Sequence, residues 1–570
     1  MRRIVSNRLF ELTLVFFIIL TAMFFTSPRL VSQYLHRPQG SVFIGMTTYF
    51  EDFYYYLDQF YQGGHGNWLT ENRFSIEHFP PTLIYINNII FGKIGGIFGL
   101  ESFQSYNLFG ALFKFLFMIS AYIMIRHFFT TSLFKRVSVY LIFLFSTSIP
   151  NIIIKNGSFV FNRSFDLFRT ENRPAARFST SPNGMFINFI FIVLFLTLIR
   201  FFSRKYFRLK HRVSSEETSS QHWTRLLKTL IIILPVYILF TLGDLSKTMV
   251  LLGLFIILYL KDSLKEKSFL ILSDTKILIM TLLGIFIVIF IYIYQTVDID
   301  PVYFQATQWD NTQYLKQIKV VGIVNFIKGF GLQMPLFLYG YWILFRKHHK
   351  TILEESALIL TAIGVLGYIL PLLFQISVPG FKFLFPALYV PIAIIVWYAI
   401  EELSSKFQHR RNMMISLMVI YMVINFISFF PGWYQEFKPL KEPDYHFAYI
   451  PDKLYQGLVF LRTAKPRDGN VLASSYTSVD LMIPGIAGRY SYSGHFLTTY
   501  NSKKKDTLAE KFFLEWTDQP ETHEFLKKNN IRFIVVTKYS ASLELFKIYY
   551  PFLKTVFENP MVTIFRYDPV

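Results

Sequence analysis

Long apolar runs broken by short basic clusters set the pattern of the chain. A helix needs about 17–25 mostly apolar residues to cross a bilayer. Such runs fall at 9–27, 106–126, 137–154, 183–202, 228–242, 246–260, 276–296, 321–345, 352–374, 380–400 and 412–430, which predicts about eleven transmembrane helices. The run at 81–100, PTLIYINNIIFGKIGGIFGL, is different. Asn87, Asn88, Lys93 and its glycines point to an interfacial or re-entrant helix rather than a span. Beyond 430 the pattern changes. KLYQGLVFL (453–461) and ETHEFLKKNN (521–530) have helical spacing, and NVLASS (470–475) and IRFIVVTK (531–538) read as strands. VFENPMVTIFRY (556–567) reads as a hairpin turning at Asn559-Pro560. The fold class is therefore an α-helical polytopic membrane protein, with a transmembrane domain over 1–430 and a C-terminal α/β domain over 431–570.

Charge orients this layout. With the N-terminus inside, the loops 1–8, 127–136, 203–227, 261–275, 346–351 and 401–411 are cytoplasmic and rich in Lys and Arg. The short loops on the other side carry only Lys316 and Lys319. That bias follows the positive-inside rule. It makes long outer loops of 28–105 and 155–182 and places the C-terminal domain outside the cytoplasm. The N-terminal run has a basic start but no convincing small-residue cleavage site, so it reads as an uncleaved first helix. The expected location is the plasma membrane, with the N-terminus cytoplasmic and the C-terminal domain extracytoplasmic.

Composition narrows the function. Of 570 residues, 53% are hydrophobic, which exceeds an ordinary soluble enzyme. The formal charge of +20 is spread through the loops rather than gathered on one domain, which argues against a nucleic-acid partner. The 65 Phe and 35 Tyr suit lipid and its interface. Without cysteine there is no disulfide, thiolate metal site or cysteine nucleophile. No P-loop, no dinucleotide glycine motif and no HExxH occurs.

The candidate chemistry lies in the outer segments. MTTYFEDFYYYLDQFYQGG places Glu51 and Asp52 just before a run of aromatics. On a short helix at the membrane face, Asp52 shares a side with Tyr55 and Tyr56. A carboxylate against a low-dielectric wall is suited to act as a general base for a hydroxyl, or as a hard-metal ligand. Two solvated loop acids would carry the same letters. The second loop, NGSFVFNRSFDLFRTENRPAARFSTSPNG, holds Arg163, Asp166, Arg169, Glu171, Arg173 and Arg177 against the positive-inside trend. Arginine forks there match a lipid-linked phosphate, or an internal salt-bridge network. Lys382 at the mouth of a helix either snorkels or binds phosphate as a point charge. In PGIAGRYSYSGHFLTT (484–499), Arg489, Tyr492 and His495 are polar groups that could converge on a sugar or phosphate, or simply order a surface loop.

This layout resembles the GT-C superfamily of membrane glycosyltransferases, which includes oligosaccharyltransferase catalytic subunits, protein O-mannosyltransferases and lipid-A aminoarabinose transferases. EDFYYYL (51–57) is similar to the acidic first-loop motif of oligosaccharyltransferases, and GRYSYSGHFLTT (488–499) resembles a segment in the outer domains of bacterial GT-C-like proteins. The WWDYG-type motif of oligosaccharyltransferases is absent, which puts asparagine glycosylation in doubt. The resemblance implies an inverting transferase that moves a sugar from a polyprenyl-phosphate donor to a glycan, lipid or protein acceptor at the outer face. Asp52, with Glu51 beside it, would be base or metal ligand. Lys382, Arg169 and Arg177 would hold the donor phosphate, and Tyr55, Tyr56, Asp166, Arg489 and His495 would contact substrate. A divalent cation such as Mg or Mn, if used, would sit on Asp52 and Asp166. The competing class is a non-catalytic lipid or polysaccharide transporter, or a glycan-binding envelope assembly protein.

Overall fold

In the computed structural model, the described residues are 2–47, 49–149, 151–155, 158–162, 173–179, 181–211, 219–266, 274–318, 323–374, 380–441, 444–515 and 519–569. The chain begins with α1 (Arg2–Phe25), a short α2 (Pro28–Leu35), the strand β1 (Ser41–Phe43), α3 (Phe50–Gly64) and α4 (Ile86–Ile97). The bundle continues with α5 (Ser102–Phe128), α6 (Leu133–Phe145), a hairpin of β2 (Asn151–Lys155) and β3 (Ser158–Asn162), α7 (Pro174–Phe178) and α8 (Pro182–His211). It is completed by α9 (Ser219–Gly243), α10 (Leu245–Glu266), α11 (Asp274–Ile299), α12 (Pro301–Ile318), α13 (Ile323–Phe330), α14 (Gln333–Arg346), α15 (Ile352–Phe374), α16 (Tyr389–Ser405) and α17 (Arg410–Phe437).

Among the described residues, seven helices are long and apolar enough to cross a membrane, at Arg8–Phe25, Ser102–Phe128, Pro182–Phe202, Thr275–Ile299, Ile352–Pro371, Pro386–Ser405 and Arg410–Phe437. The chain is an integral membrane protein. Four expectations change. The run 137–154 stops being helical at Ser146, where the Thr147 amide donates to the Asn425 side chain at 2.7 Å and the chain turns into β2. The run 321–345 is broken into α13 and α14 at Gly331, whose positive φ (60°) only glycine adopts easily. Within the expected loop 297–320, residues Pro301–Ile318 form the helix α12 instead. The last bundle helix also runs on to Phe437, past the boundary expected at 430.

The C-terminal residues form α18 (Asp444–Ala448), β4 (Tyr449–Pro451), α19 (Asp452–Thr463), β5 (Asn470–Ala473), α20 (Val479–Ala487), α21 (Ser502–Leu514), α22 (Gln519–Lys528), β6 (Ile531–Thr537), α23 (Leu543–Tyr549), β7 (Lys554–Glu558) and β8 (Val562–Arg566). The sheet order is β5-β6-β8-β7, with β5 and β6 parallel and the other pairs antiparallel. The expected strands and the hairpin after Glu558 are all present. Leu472, Tyr492, Phe512, Ile534 and Phe565 form a second core here.

This module is stitched to the first loop. β1 pairs antiparallel with β4. Tyr54 of α3 donates to the Phe447 carbonyl at 2.9 Å, and Phe50 stacks on Phe447 at 3.9 Å between ring centroids. Arg462 of α19 grips Glu101 at the start of α5 with two bonds of 2.9 and 2.8 Å. α3 is the hinge between the layers. One side carries Phe53 and Phe60 against Tyr106 of α5; the other packs Leu57 against Gly485 of α20. α3 crosses α4 at backbone contact. A Cβ built on Gly63 overlaps the Ile89 carbonyl, and one built on Gly92 overlaps the Phe60 carbonyl. Small residues permit such close crossings.

This geometry makes Gly92→Ala a decisive substitution. Helix propensity alone favours alanine by about 1 kcal/mol. Overlap with a backbone carbonyl that cannot move aside costs about 1–3 kcal/mol. The packing cost wins, so Gly92→Ala lowers the melting temperature of the full chain in detergent. Gly284→Ala, where nothing lies within 4 Å of the added Cβ, leaves it unchanged or raises it.

Candidate active site

Glu51 and Asp52 occupy the first turn of α3, where unpaired amides and the helix dipole favour negative charge. Segment 488–499 comes up to them from the C-terminal module. It is anchored on β5 by backbone bonds of 2.9 Å between Val471 and both Tyr490 and Tyr492. The segment places His495 Nε2 3.7 Å from Asp52 Oδ1. The imidazole is buried, at 3% side-chain exposure, whereas Asp52 is 44% exposed. The acid is therefore open to a substrate and the histidine forms the wall behind it. Two buried polar atoms face this place without a hydrogen-bond partner among the described residues: Oε2 of Glu51 and Nε2 of His495. Burial raises the proton affinity of Glu51; His495 opposes that shift and the neighbouring Asp52 adds to it.

Aromatic rings close the sides. Tyr55 lies 5.5 Å from the His495 ring and 5.7 Å from Phe74 between centroids. Phe496 stacks on His495 at 5.4 Å. Tyr85 packs on both Tyr55 (5.6 Å) and Tyr56 (5.8 Å). Its backbone is left-handed, with φ 65°, a strained state for a bulky residue. Burial holds the Tyr55 phenol well above its usual range, so it stays protonated, and it bonds Tyr303 of α12.

Residues 71–77 strap the first loop across this segment. The Asn72 side chain donates to the Thr498 carbonyl at 2.7 Å, Thr499 Oγ1 to the Phe74 carbonyl at 2.7 Å, and the Ser491 amide to the Arg73 carbonyl at 2.9 Å. Lys505 pairs with Glu77 at 2.5 Å. Beneath the strap, Asp58 of α3 is buried and accepts from Gln62 at 2.7 Å. Burial raises its carboxyl to about 7, and Arg73 only partly offsets this. Glu71 holds the Arg73 guanidinium directly at 3.1 Å.

The structure thus gathers Glu51, Asp52, Tyr55, Tyr56 and His495. Arg489 and Arg177 are engaged elsewhere. Arg489, expected to contact substrate, spends its guanidinium on the carbonyls of Leu461, Ala464, Pro466 and Arg467. It clamps the end of α19 and is 5% exposed. Arg177 is fully buried in the bundle, donating to the carbonyls of Phe143 and Ser146 with its guanidinium over the Tyr389 ring at 4.1 Å. Lys382 is exposed on a short 3-10 turn, Gly380–Phe383. Asp166 and Arg169 lie outside the described residues. Among the described residues no group of three His, Asp or Glu is disposed to hold a metal ion. Sequence reasoning passed over Asp58, Phe74, Tyr85 and Tyr303. Asp58 carried a signal, as an acid within an otherwise apolar helical face.

A first-loop acidic helix, a helical bundle and a C-terminal module pack together in an integral membrane protein whose fold is similar to that of a solved oligosaccharyltransferase. The solved structure that carries this comparison is archaeal oligosaccharyltransferase AglB from Archaeoglobus fulgidus, in complex with an inhibitory peptide and a dolichol-phosphate. It aligns at 12% identity over 93% of this chain and 70% of that one, with a TM-score of 0.51. A second structure of the Archaeoglobus fulgidus oligosaccharyltransferase, tethered to an acceptor peptide containing the NVT sequon, aligns at 12% identity over 92% and 69%, with a TM-score of 0.49. No protein-family model matches the chain, and no curated protein sequence matches it.

Asp58 gives a pH test. Its folded affinity for a proton exceeds that of the unfolded chain, whose carboxyl titrates near 3.8. The native state therefore binds more protons than the unfolded one between those values, and stability falls as pH rises through that window. Between pH 5 and 7 the loss is on the order of 2 kcal/mol. Asp58→Asn removes this component, so its melting temperature declines less over that interval than that of the wild type.

Proposed function

We propose that the protein is an inverting glycosyltransferase that moves a sugar from a polyprenyl-phosphate donor to an acceptor at the outer face of the membrane. The observation that carries this reading is the meeting of Glu51 and Asp52 with His495, in a fold shared with an oligosaccharyltransferase whose solved complex holds dolichol-phosphate. Charge bias in the loops supports an extracytoplasmic α3 end of the bundle.

Asp52 is the half-open carboxylate and takes the acceptor proton as the anomeric carbon is attacked from the face opposite the phosphate. Glu51, more buried and held toward its neutral form by burial, keeps the pair from carrying two full charges. The tyrosine and phenylalanine rings exclude water from the reacting carbon. Lys382 and Arg169 supply positive charge for the departing lipid phosphate, and Arg177 holds the neighbouring helices in place. A divalent cation such as Mg or Mn, if the reaction uses one, would be held by Asp52 and Asp166. When bound, that ion would supply Lewis-acid stabilisation of the phosphate. The acceptor is a glycan, a lipid or a protein.

Transfer from labelled polyprenyl-phosphate sugars by the purified full chain in nanodiscs tests this. Asp52→Asn is expected to lower the rate about 100-fold or more, the scale of a lost general base. Full activity in that variant overturns the role of Asp52. No transfer by the wild type from any donor offered overturns the reading as a whole.

A further inference from the structure

At the end of the bundle away from α3, one carboxylate is surrounded by more arginine than it can neutralise. Glu11 is buried near the start of the first span, Arg8–Phe25. Its Oε2 takes the Arg136 guanidinium at 2.8 Å, and its Oε1 accepts from the Tyr122 hydroxyl at 2.6 Å. Arg136 of α6 also donates to the carbonyls of Phe129 and Thr130 at 3.1 and 2.8 Å. Its Nε is buried without a partner among the described residues. Arg126, in the last turn of α5, is left over. Its Nε stands 3.9 Å from Glu11, too far for a hydrogen bond, and its side chain is 47% exposed. Arg8 is exposed one turn before Glu11 on α1. Neither Arg8 nor Arg126 donates a hydrogen bond from its side chain to another described residue.

The neighbouring charges do not make up the difference. Lys135 is paired with Glu401, which also takes Arg410. Arg200 of α8 meets the His127 ring at 2.9 Å. Around Glu11 stand the guanidinium groups of Arg8, Arg126 and Arg136, always charged, against a single carboxylate. Two positive charges are therefore in excess. The spans fix their level. Arg8 opens Arg8–Phe25 and Arg126 lies in the last turn of Ser102–Phe128, so both stand where hydrocarbon meets headgroups. Deeper along the same helices the surface is apolar. Leu12 and Phe16, one and two turns beyond Arg8, are exposed, and so is Ile123, one turn deeper than Arg126.

Two arginine forks above an apolar wall suit a phosphodiester that carries acyl chains. A phospholipid with an uncharged headgroup supplies negative charge and nothing to oppose it. Phosphatidylcholine brings an ammonium group as well, which Arg8 and Arg126 repel. We propose that Arg8 and Arg126, backed by the Glu11–Arg136 pair, bind the phosphate of an anionic phospholipid in the leaflet opposite α3, with its acyl chains along Leu12, Phe16 and Ile123. Charge bias in the loops supports that leaflet being the cytoplasmic one. The lipid bridges α1 to α5. Only 22% of the α1 span is buried in the protein, so few side chains hold this helix and a bridging lipid adds to them. The site lies on the opposite surface from Glu51 and Asp52 and is independent of the transferase reading.

Native mass spectrometry of the full chain in detergent, titrated with phosphatidylglycerol or phosphatidylcholine, tests this. The wild type is expected to hold one phosphatidylglycerol about tenfold more tightly than phosphatidylcholine. Arg8→Gln and Arg126→Gln are each expected to weaken phosphatidylglycerol about fivefold, the worth of one basic residue at an anionic lipid surface, and to leave phosphatidylcholine unchanged. Arg346→Gln removes an arginine from the end of α14, where it lies over the Trp342 ring, and is expected to change neither affinity. Phosphatidylglycerol is also expected to raise the melting temperature of the wild type, and glycerol phosphate at the same concentration is not. Melting temperatures without lipid show whether each variant folds; the comparison of lipids on the wild type decides by itself where one does not. Equal affinity of the wild type for the two lipids overturns the proposal. So does an equal loss in Arg346→Gln, which would mean a general response to surface charge, or an equal stabilisation by glycerol phosphate, which would mean a free anion rather than a lipid.

Discussion

Everything in the candidate site hangs on how closely α3 is held. Gly63 and Gly92 let α3 and α4 approach until backbone meets backbone. Phe53 and Phe60 fix α3 to α5, and Leu57 fixes it to α20. A helix fixed on all these sides has little freedom to rotate. Its first turn, with Glu51 and Asp52, is therefore aimed once and stays aimed, as a preorganised site requires. The glycines do this through the side chain they lack, since dispersion gains grow as the two backbones close.

Several charged groups are enclosed within the bundle and held by partners there. Glu11 meets Arg136 at 2.8 Å and Tyr122 at 2.6 Å, and Lys114 donates to the Thr26 carbonyl at 3.0 Å at the end of α1. Such buried contacts fix helix positions in a medium that offers no water. At the site, Glu51 and His495 keep polar atoms unmatched among the described residues. Leaving them so costs stability, and active sites are where proteins carry that cost.

Much of this was legible in the sequence. The apolar runs marked most of the bundle, and the strands at 470 and 531 and the hairpin after Glu558 fell where period and turn residues put them. Glu51 and Asp52 stood out because acids are rare among aromatics. What escaped did so for definite reasons. The end of α6 at Ser146 depends on Asn425, nearly three hundred residues away, which no window sees. α12 is too polar to look like a span and was read as loop. Arg489 looked like a ligand-binding arginine because residue type does not reveal which donors are already spent; four carbonyls of a neighbouring turn take them. His495 was visible as a letter, but its direction came only from the amide of Leu497.

The strap of residues 71–77 joins Asp52 and His495, which stand 443 positions apart in the chain. During synthesis the first loop leaves the ribosome long before residue 495 exists. Until then the acids of α3 have no imidazole behind them, and the loop that will cross the C-terminal module has nothing to fasten to. The half-made protein, already threading its helices into the membrane, therefore has no assembled site. Completion of the chain is what brings the imidazole to the acids.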